Sequence, residues 1–331
     1  MTESLLIAIG SLVVTLLGSY LFTNGIEWYG KRMKLPDGAV GSVLSAVGTA
    51  LPETIIPLIA IFLGSGVAKK EIGTGAILGA PFMLSTLTLP LAGLGVLFFS
   101  LSGKRTKHLH LNFKDIETDL KFFLISFSLA VAAAGVNNRL THFVIGISLF
   151  VIYARYLKMV FGRPPGEHLS LDPLLLEKFF RDPGLTAILS QIFLGLGLII
   201  GGAWFFIEGL ERLAGHFRIS PMILSLLITP VATELPEKFN SLIWISKKKD
   251  YLAISNITGA LVFQSTFPVA IGLFGTAWHF DQIGLSNIML TLAAAIYFYG
   301  ILLFKKKWAW YHLAAGSLAY LGYLLILVFH N

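Results

Sequence analysis

The chain has 331 residues, 55% of them hydrophobic and 13% charged, with a formal net charge of +7 and no cysteine. Soluble domains carry about 25% charged residues, so this composition excludes an ordinary soluble domain, and the missing cysteines exclude disulfides, a thiol nucleophile and an iron–sulfur site. The positive charge is placed beside apolar runs, where it orients membrane spans; it does not form a nucleic-acid surface.

Helices of about 20 apolar residues cross a ~30 Å hydrocarbon core, and the runs here are too long and continuous for barrel strands of about 10 alternating residues. Taken in chain order, the sequence predicts ten spans: 4–24, 38–64, 72–101, 119–135, 139–160, 185–211, 219–246, 251–276, 284–304 and 308–329. The N-terminus lacks the basic region of a signal peptide, so the first run reads as a retained span. The longest polar gap, 161–184, holds Asp172-Pro173, then LLLEKFF and Gly184, which predicts a short interfacial helix.

Lys and Arg sort by side. Clusters at 31–34, 104–121, 155–181, 247–249 and 305–307 fall on one face of the ten-span arrangement, and Lys69, Lys70, Arg139, Arg212 and Arg218 on the other. The rich face reads as cytoplasmic. Both termini are then expected outside and the 161–184 loop inside, in a cell inner membrane.

The chain repeats itself. Gly48-Thr49-Ala50-Leu51-Pro52-Glu53 returns 184 residues later as Ala232-Thr233-Glu234-Leu235-Pro236-Glu237, and the same shift pairs Phe22 with Phe206, Gly25 with Gly209 and Glu27 with Glu211. After a four-residue slip, Gly79, Ala80, Ser85 and Thr86 pair with Gly259, Ala260, Ser265 and Thr266. Each half holds five spans, so the second enters the membrane from the opposite side. The predicted fold is an all-α integral membrane protein of ten transmembrane helices in two inverted five-helix repeats: 1–160, a cytoplasmic linker at 161–184, and 185–331. Such duplications place the substrate near the midplane.

Most acidic residues fall in loops or at span ends; Glu53, Glu234 and Glu237 fall inside spans. Intramembrane carboxylates cost several kcal/mol and mark functional sites. A proline precedes Glu53 and Glu237, which predicts broken helices with freed carbonyls. Thr49 and Thr233, four residues before those acids, share their helix face. Carboxylate, hydroxyl and carbonyl oxygens suit hard cations. Ser85, Asn256, Gln264 and Ser265 lie one helix on as further candidate ligands, each equally suited to helix packing. Gly75-xxx-Gly79 and Gly197-xxx-Gly201 read as close-packing faces. Lys238 either snorkels or pairs with a carboxylate. The histidines read as loop or interface residues.

These residues resemble the sodium/calcium exchanger family, within the cation/calcium antiporter superfamily. The paired Pro–Glu segments carry the resemblance, and GAILGAPFML at 75–84 and SNITGALVFQ at 255–264 stand where the family has its second segments. The resemblance implies that Glu53 and Glu237 hold the transported cations, Ca2+ and Na+, with Thr49 and Thr233 beside them. It implies a secondary antiporter working by alternating access, with inorganic cations and the lipid bilayer as partners and no cofactor. Two departures stand out. The family's central amide or carboxylate position reads Pro81 in one copy and Leu261 in the other, and the motif serine is Ala50 in one and Glu234 in the other. A cation/H+ antiporter of the same fold is therefore an alternative reading. A channel and an intramembrane enzyme are readings from other classes; no G-x-S-x-G or H-E-x-x-H signature supports the enzyme.

Overall fold

The structure is a computed structural model and describes residues 2–33, 50–161, 173–177, 184–305 and 307–330, with the side chains of 161, 235–240 and 330 outside that description. Among the described residues every regular element is a helix. Each of the ten predicted spans contains one. Seven stretches are long and apolar enough to cross a membrane: 2–32, 67–101, 139–160, 185–217, 250–275, 282–305 and 310–329. Two more apolar helices, 51–63 and 221–234, are shorter. The chain is thus a multi-pass helical membrane protein.

The helices group into two compact units, residues 1–73 with 155–221, and residues 74–154 with 222–331. Each unit draws on both sequence halves.

In the first unit, α1 (Thr2–Arg32) lies along α7 (Leu185–Phe217). Their backbones touch: a Cβ on Gly18 would meet the Gly195 carbonyl at 2.8 Å, and one on Gly195 would meet Phe22 N at 2.6 Å. The sequence placed the packing glycines of α7 at Gly197 and Gly201, but both face open space. Helical spacing explains the shift. Gly195, Gly202 and Gly209 recur every seven residues and stay on one face, whereas Gly197 lies about 200° around from Gly195. The hydroxyl of Thr15 donates to the Ser11 carbonyl at 2.9 Å, which hides it inside its own helix. Near the other end of the pair, Gln191 Nε2 donates to Asn24 Oδ1 at 2.8 Å, and Leu176 N donates to Gln191 Oε1 at 2.9 Å. This knot fastens the linker residues 173–177, which form one tight turn. The rest of the expected interfacial helix lies outside the described residues.

α2 (Leu51–Leu58) continues as a π-helical turn over Ile59–Leu63 after Pro57. α3 (Val67–Met83) begins beside α7. There Lys69 Nζ pairs with Glu208 Oε2 at 3.0 Å and Glu211 Oε2 at 3.7 Å, and sits 5.7 Å from the Trp204 ring.

In the second unit, α3 passes through a π turn at Leu84–Thr88 into α4 (Leu89–Leu101). The other elements are α5 (Phe113–Ala134), α6 (Arg139–Phe161), α8 (Pro221–Ser246), α9 (Asp250–Gln264), α10 (Phe267–Gly275), α11 (Gln282–Lys305), α12 (Trp310–Ala314) and α13 (Ser317–His330). α5 packs on α9 and α11, and α4 on α12. Gly75 and Gly79 do pack as expected: any side chain there would strike the carbonyls of Met222 and Leu226 on α8. His142, read from sequence as near an interface, is buried; its Nε2 reaches the carbonyls of Ala133 (3.0 Å) and Val136 (2.7 Å) and closes the end of α5.

Candidate functional site

The two Pro–Glu segments differ in local backbone. α2 begins at Leu51, so Pro52 occupies the first turn, where its missing N–H costs nothing. Glu53 follows in that turn, where a carboxylate complements the helix dipole. It is 6% exposed and belongs to the first unit. Thr54 Oγ1 donates to the Ala50 carbonyl at 2.9 Å. Thr49 lies outside the described residues.

The second copy was expected to break at Pro236. Instead the backbone of α8 is helical from Pro221 through Ser246. Membrane helices tolerate proline because neighbouring groups satisfy the freed carbonyl. The side chains of Glu237 and Lys238 lie outside the description. Upstream, the polar residues form a stack at four-residue spacing: Ser225 Oγ and Thr229 Oγ1 are 2.9 Å apart, and Thr233 Oγ1 donates to the Thr229 carbonyl at 3.0 Å. All three are buried.

Glu234 is 2% exposed, and Gln264 Nε2 donates to its Oε1 at 3.0 Å. Gln264 closes α9. Its Oε1 is buried with no hydrogen-bond partner among the described residues. Beyond it the helix breaks at Ser265-Thr266 and restarts at Phe267 with Pro268 in the first turn. Both hydroxyls are fully buried and turned back on the helix, Ser265 Oγ to the Val262 carbonyl at 3.1 Å and Thr266 Oγ1 to the same carbonyl at 2.8 Å. Ser85 and Thr86, their sequence equivalents, behave alike. They are fully buried in the π turn after Pro81 and donate to the carbonyls of Pro81 (2.8 Å) and Phe82 (2.6 Å). The repeat thus carries a Ser-Thr pair at an interruption of the helix in both copies. Asn256 stands eight residues before Gln264, two turns away, and is half-buried.

The second unit therefore brings together Glu234 and Gln264, a carboxylate and an amide on two helices, and leaves Asn256 apart. Carboxylate, amide and hydroxyl oxygens are hard donors, suited to Na+ or Ca2+. Among the described residues no cluster of three His, Asp or Glu side chains forms a metal site.

Sequence reasoning missed two further charged groups. Arg105, counted as a loop cation, is 7% exposed and bonded to Asp250, whose own exposure is 1%. Asp119, read as a span end, is fully buried, because α5 starts at Phe113, six residues earlier than the hydropathy edge.

A model of the sodium/calcium exchanger protein family matches residues 3–162 and 188–329. A putative antiporter, CaxA, of Alkalimonas amylolytica is 25% identical over 266 residues, covering 79% of this chain and 77% of the relative. The inner membrane protein YrbG of Escherichia coli is 23% identical over 281 residues, covering 82% and 80%. Among solved structures, the H+/Ca2+ exchanger CAX matches with a TM-score of 0.77 at 17% identity, over 97% of this chain and 82% of its own. The sodium-calcium exchanger NCX_Mj matches at 0.56 and 16% identity, over 99% of each. At such identities the structural matches establish a shared fold, and the family model spans nearly the whole sequence. The chain belongs to the sodium/calcium exchanger family.

Proposed function

We propose that this chain is a secondary active cation antiporter resembling a Na+/Ca2+ exchanger, with ten spans in two inverted repeats and alternating access to a midplane cation site. The observation that carries this reading is the duplicated Thr-x-x-Pro-Glu segment, whose first glutamate is 6% exposed in an apolar helix. Glu53 and Glu237 are assigned the role of charged ligands, with Thr49, Thr233, Glu234 and Gln264 supplying further oxygens and Ser85, Asn256 and Ser265 as additional candidate ligands. Each carboxylate offers an oxygen and a negative charge to a hard cation that has shed water.

A second reading, cation/H+ exchange, is favoured by the loss of the central amide or carboxylate from both second segments, at Pro81 and Leu261. Fewer fixed charges suit a partner ion that is a proton. Reconstitution into proteoliposomes separates the two: Ca2+ uptake driven by an opposed Na+ gradient supports the first, and uptake driven only by an opposed H+ gradient supports the second. A channel conducts without a trans ion.

Glu53→Gln and Glu237→Gln are each expected to lower exchange by roughly tenfold or more, since loss of one charged contact is worth at least about 1.4 kcal/mol. Expression should stay at the wild-type level. Near-normal flux in both variants removes the assignment.

A further inference from the structure

Aromatic rings fill most of the seam between α6 and the helices α9 and α10. Tyr153 lies 5.5 Å from Phe263, and Phe150 lies 5.1 Å from Phe267 and 5.9 Å from Phe274. Phe274 rests on bare backbone at Gly146, where a Cβ would meet its ring at 2.5 Å. Towards the start of α6 the filling stops. A groove of about 540 Å³ opens there, lined by Arg139, Leu140 and Phe143 of α6 and by Leu273 and Phe274 of α10. Its size falls within the ~300–1,000 Å³ of small-molecule sites.

Arg139 stands exposed at the rim. It is the first residue of α6, a helix long and apolar enough to span a bilayer, which puts its side chain at the level of the lipid headgroups. Nη2 donates to the Phe274 carbonyl at 2.5 Å and Nη1 to the Thr276 carbonyl at 3.3 Å, closing the end of α10. Those bonds use two of the five guanidinium N–H groups. The other three lie in a plane that is already fixed, so binding through them loses little further entropy. The neighbouring polar groups are matched elsewhere. Asn138 Oδ1 accepts the N–H groups of Leu140 (2.9 Å) and Thr141 (3.2 Å), and Asp281 Oδ1 accepts that of Gly284 (2.8 Å). Among the described residues no carboxylate pairs with Arg139.

Shape and charge together select the occupant. Four of the five lining residues are apolar, and the fifth is a cation with donors to spare. An acyl chain covers the apolar walls, and a phosphodiester suits a guanidinium, which grips phosphate through paired N–H bonds. No acidic side chain lines the groove to receive the ammonium of a zwitterionic headgroup. α6 carries no Asp or Glu, so a second copy packed through the same helix would bring Arg139 no counter-charge.

We propose that this groove binds one anionic phospholipid, with an acyl chain against Leu140, Phe143, Leu273 and Phe274 and the phosphate on Arg139. The lipid bridges α6 and α10 within the second unit. The site rests on the chain's spanning a membrane and not on the antiport reading.

The test is native mass spectrometry of the full chain, delipidated in detergent and titrated with phosphatidylglycerol or phosphatidylcholine of the same acyl chains. The wild type should retain one phosphatidylglycerol at least about tenfold more tightly than phosphatidylcholine, the worth of one charge-assisted bond. Arg139→Gln should bring the two lipids to equal retention, and Arg139→Lys, which keeps the charge, should restore part of the difference. Equal retention by the wild type, or an undiminished preference in Arg139→Gln, overturns the proposal. Glycerol phosphate, a headgroup without chains, should not displace the lipid; displacement would reduce the site to a phosphate contact and remove the groove from it. Should Arg139→Gln not fold, Leu140→Trp fills the groove from a position that is 70% exposed and leaves the end of α10 closed. It should lower retention of that lipid, and wild-type retention overturns the proposal. A wild type that dimerises and holds no lipid gives this face to a second copy, and the proposal falls. No ion flux is measured, so the antiport reading stands or falls separately.

Discussion

Arg105 makes five hydrogen bonds from a position that is 7% exposed: to the carbonyls of Thr106, His108 and Ile245 and to both oxygens of Asp250. No donor is wasted, which is what a buried guanidinium requires. Removing it strands Asp250. Arg105→Met is expected to destabilise the fold by about 3–5 kcal/mol, and the double variant with Asp250→Leu by clearly less; melting in detergent measures both. Equal melting of Arg105→Met and wild type would mean the pair is idle. Glu234 accepts a hydrogen bond from the neutral amide of Gln264. The family resemblance places it at the motif serine, and as a proposed third ligand it would supply the charge absent at Leu261. Glu234→Gln is expected to weaken divalent transport more than monovalent binding, because a divalent ion needs more than one carboxylate. The competing account pairs Glu234 with Lys238, four residues on. If Lys238→Met restores the transport lost in Glu234→Gln, that salt bridge explains the residue and the third-ligand role falls.

At the scale of elements, helix existence was legible and helix interruption was not. Every predicted span contains a helix because a long apolar run has no other way to satisfy its backbone in lipid. The π turns at Ile59–Leu63 and Leu84–Thr88 follow Pro57 and Pro81, which the sequence reading did not mark as breaks, whereas at Pro236, where a break was expected, the helix runs on. Proline frees a carbonyl; whether the helix then breaks depends on what else reaches that carbonyl, and that is a tertiary matter. Asp119 was misplaced for a related reason. Hydropathy marks where apolar residues begin, whereas a helix begins where its hydrogen bonds do. Glycine packing shows the same limit, since Gly195 and Gly197 look alike in sequence and differ only in the face they present. Gly195→Ala should separate α1 from α7 at a cost of about 1–3 kcal/mol, while Gly197→Ala, in open space, should stay within about 0.5 kcal/mol of wild type. Chemical-denaturant unfolding of both variants checks the contrast, and equal costs would discount the backbone contact.

For the whole molecule, Thr, Pro and Glu recur in one order in the sequence, and the reading of that recurrence as two inverted repeats is part of the proposal. The compact units were not legible, since each joins residues from both halves. The side assignment rests on charge. Reporter tags are expected to place residues 161–184 inside the cell and both termini outside; a tag in that loop reporting from outside would reverse the topology.

The joining of distant residues also bears on biosynthesis. Arg105 leaves the ribosome 145 residues before Asp250, Asp119 precedes Thr258 by 139, Ala130 precedes Trp278 by 148, and Asn24 precedes Gln191 by 167. At rates of about 5–20 residues per second, these groups wait roughly 7 to 33 seconds, already in or beside the bilayer, before those distant partners exist. Insertion of the first half is therefore an event apart from its folding. During that interval a cell's insertases and membrane proteases meet a polypeptide with a cation at Arg105 and a carboxylate at Asp119 whose partners Asp250 and Thr258 have not yet been made.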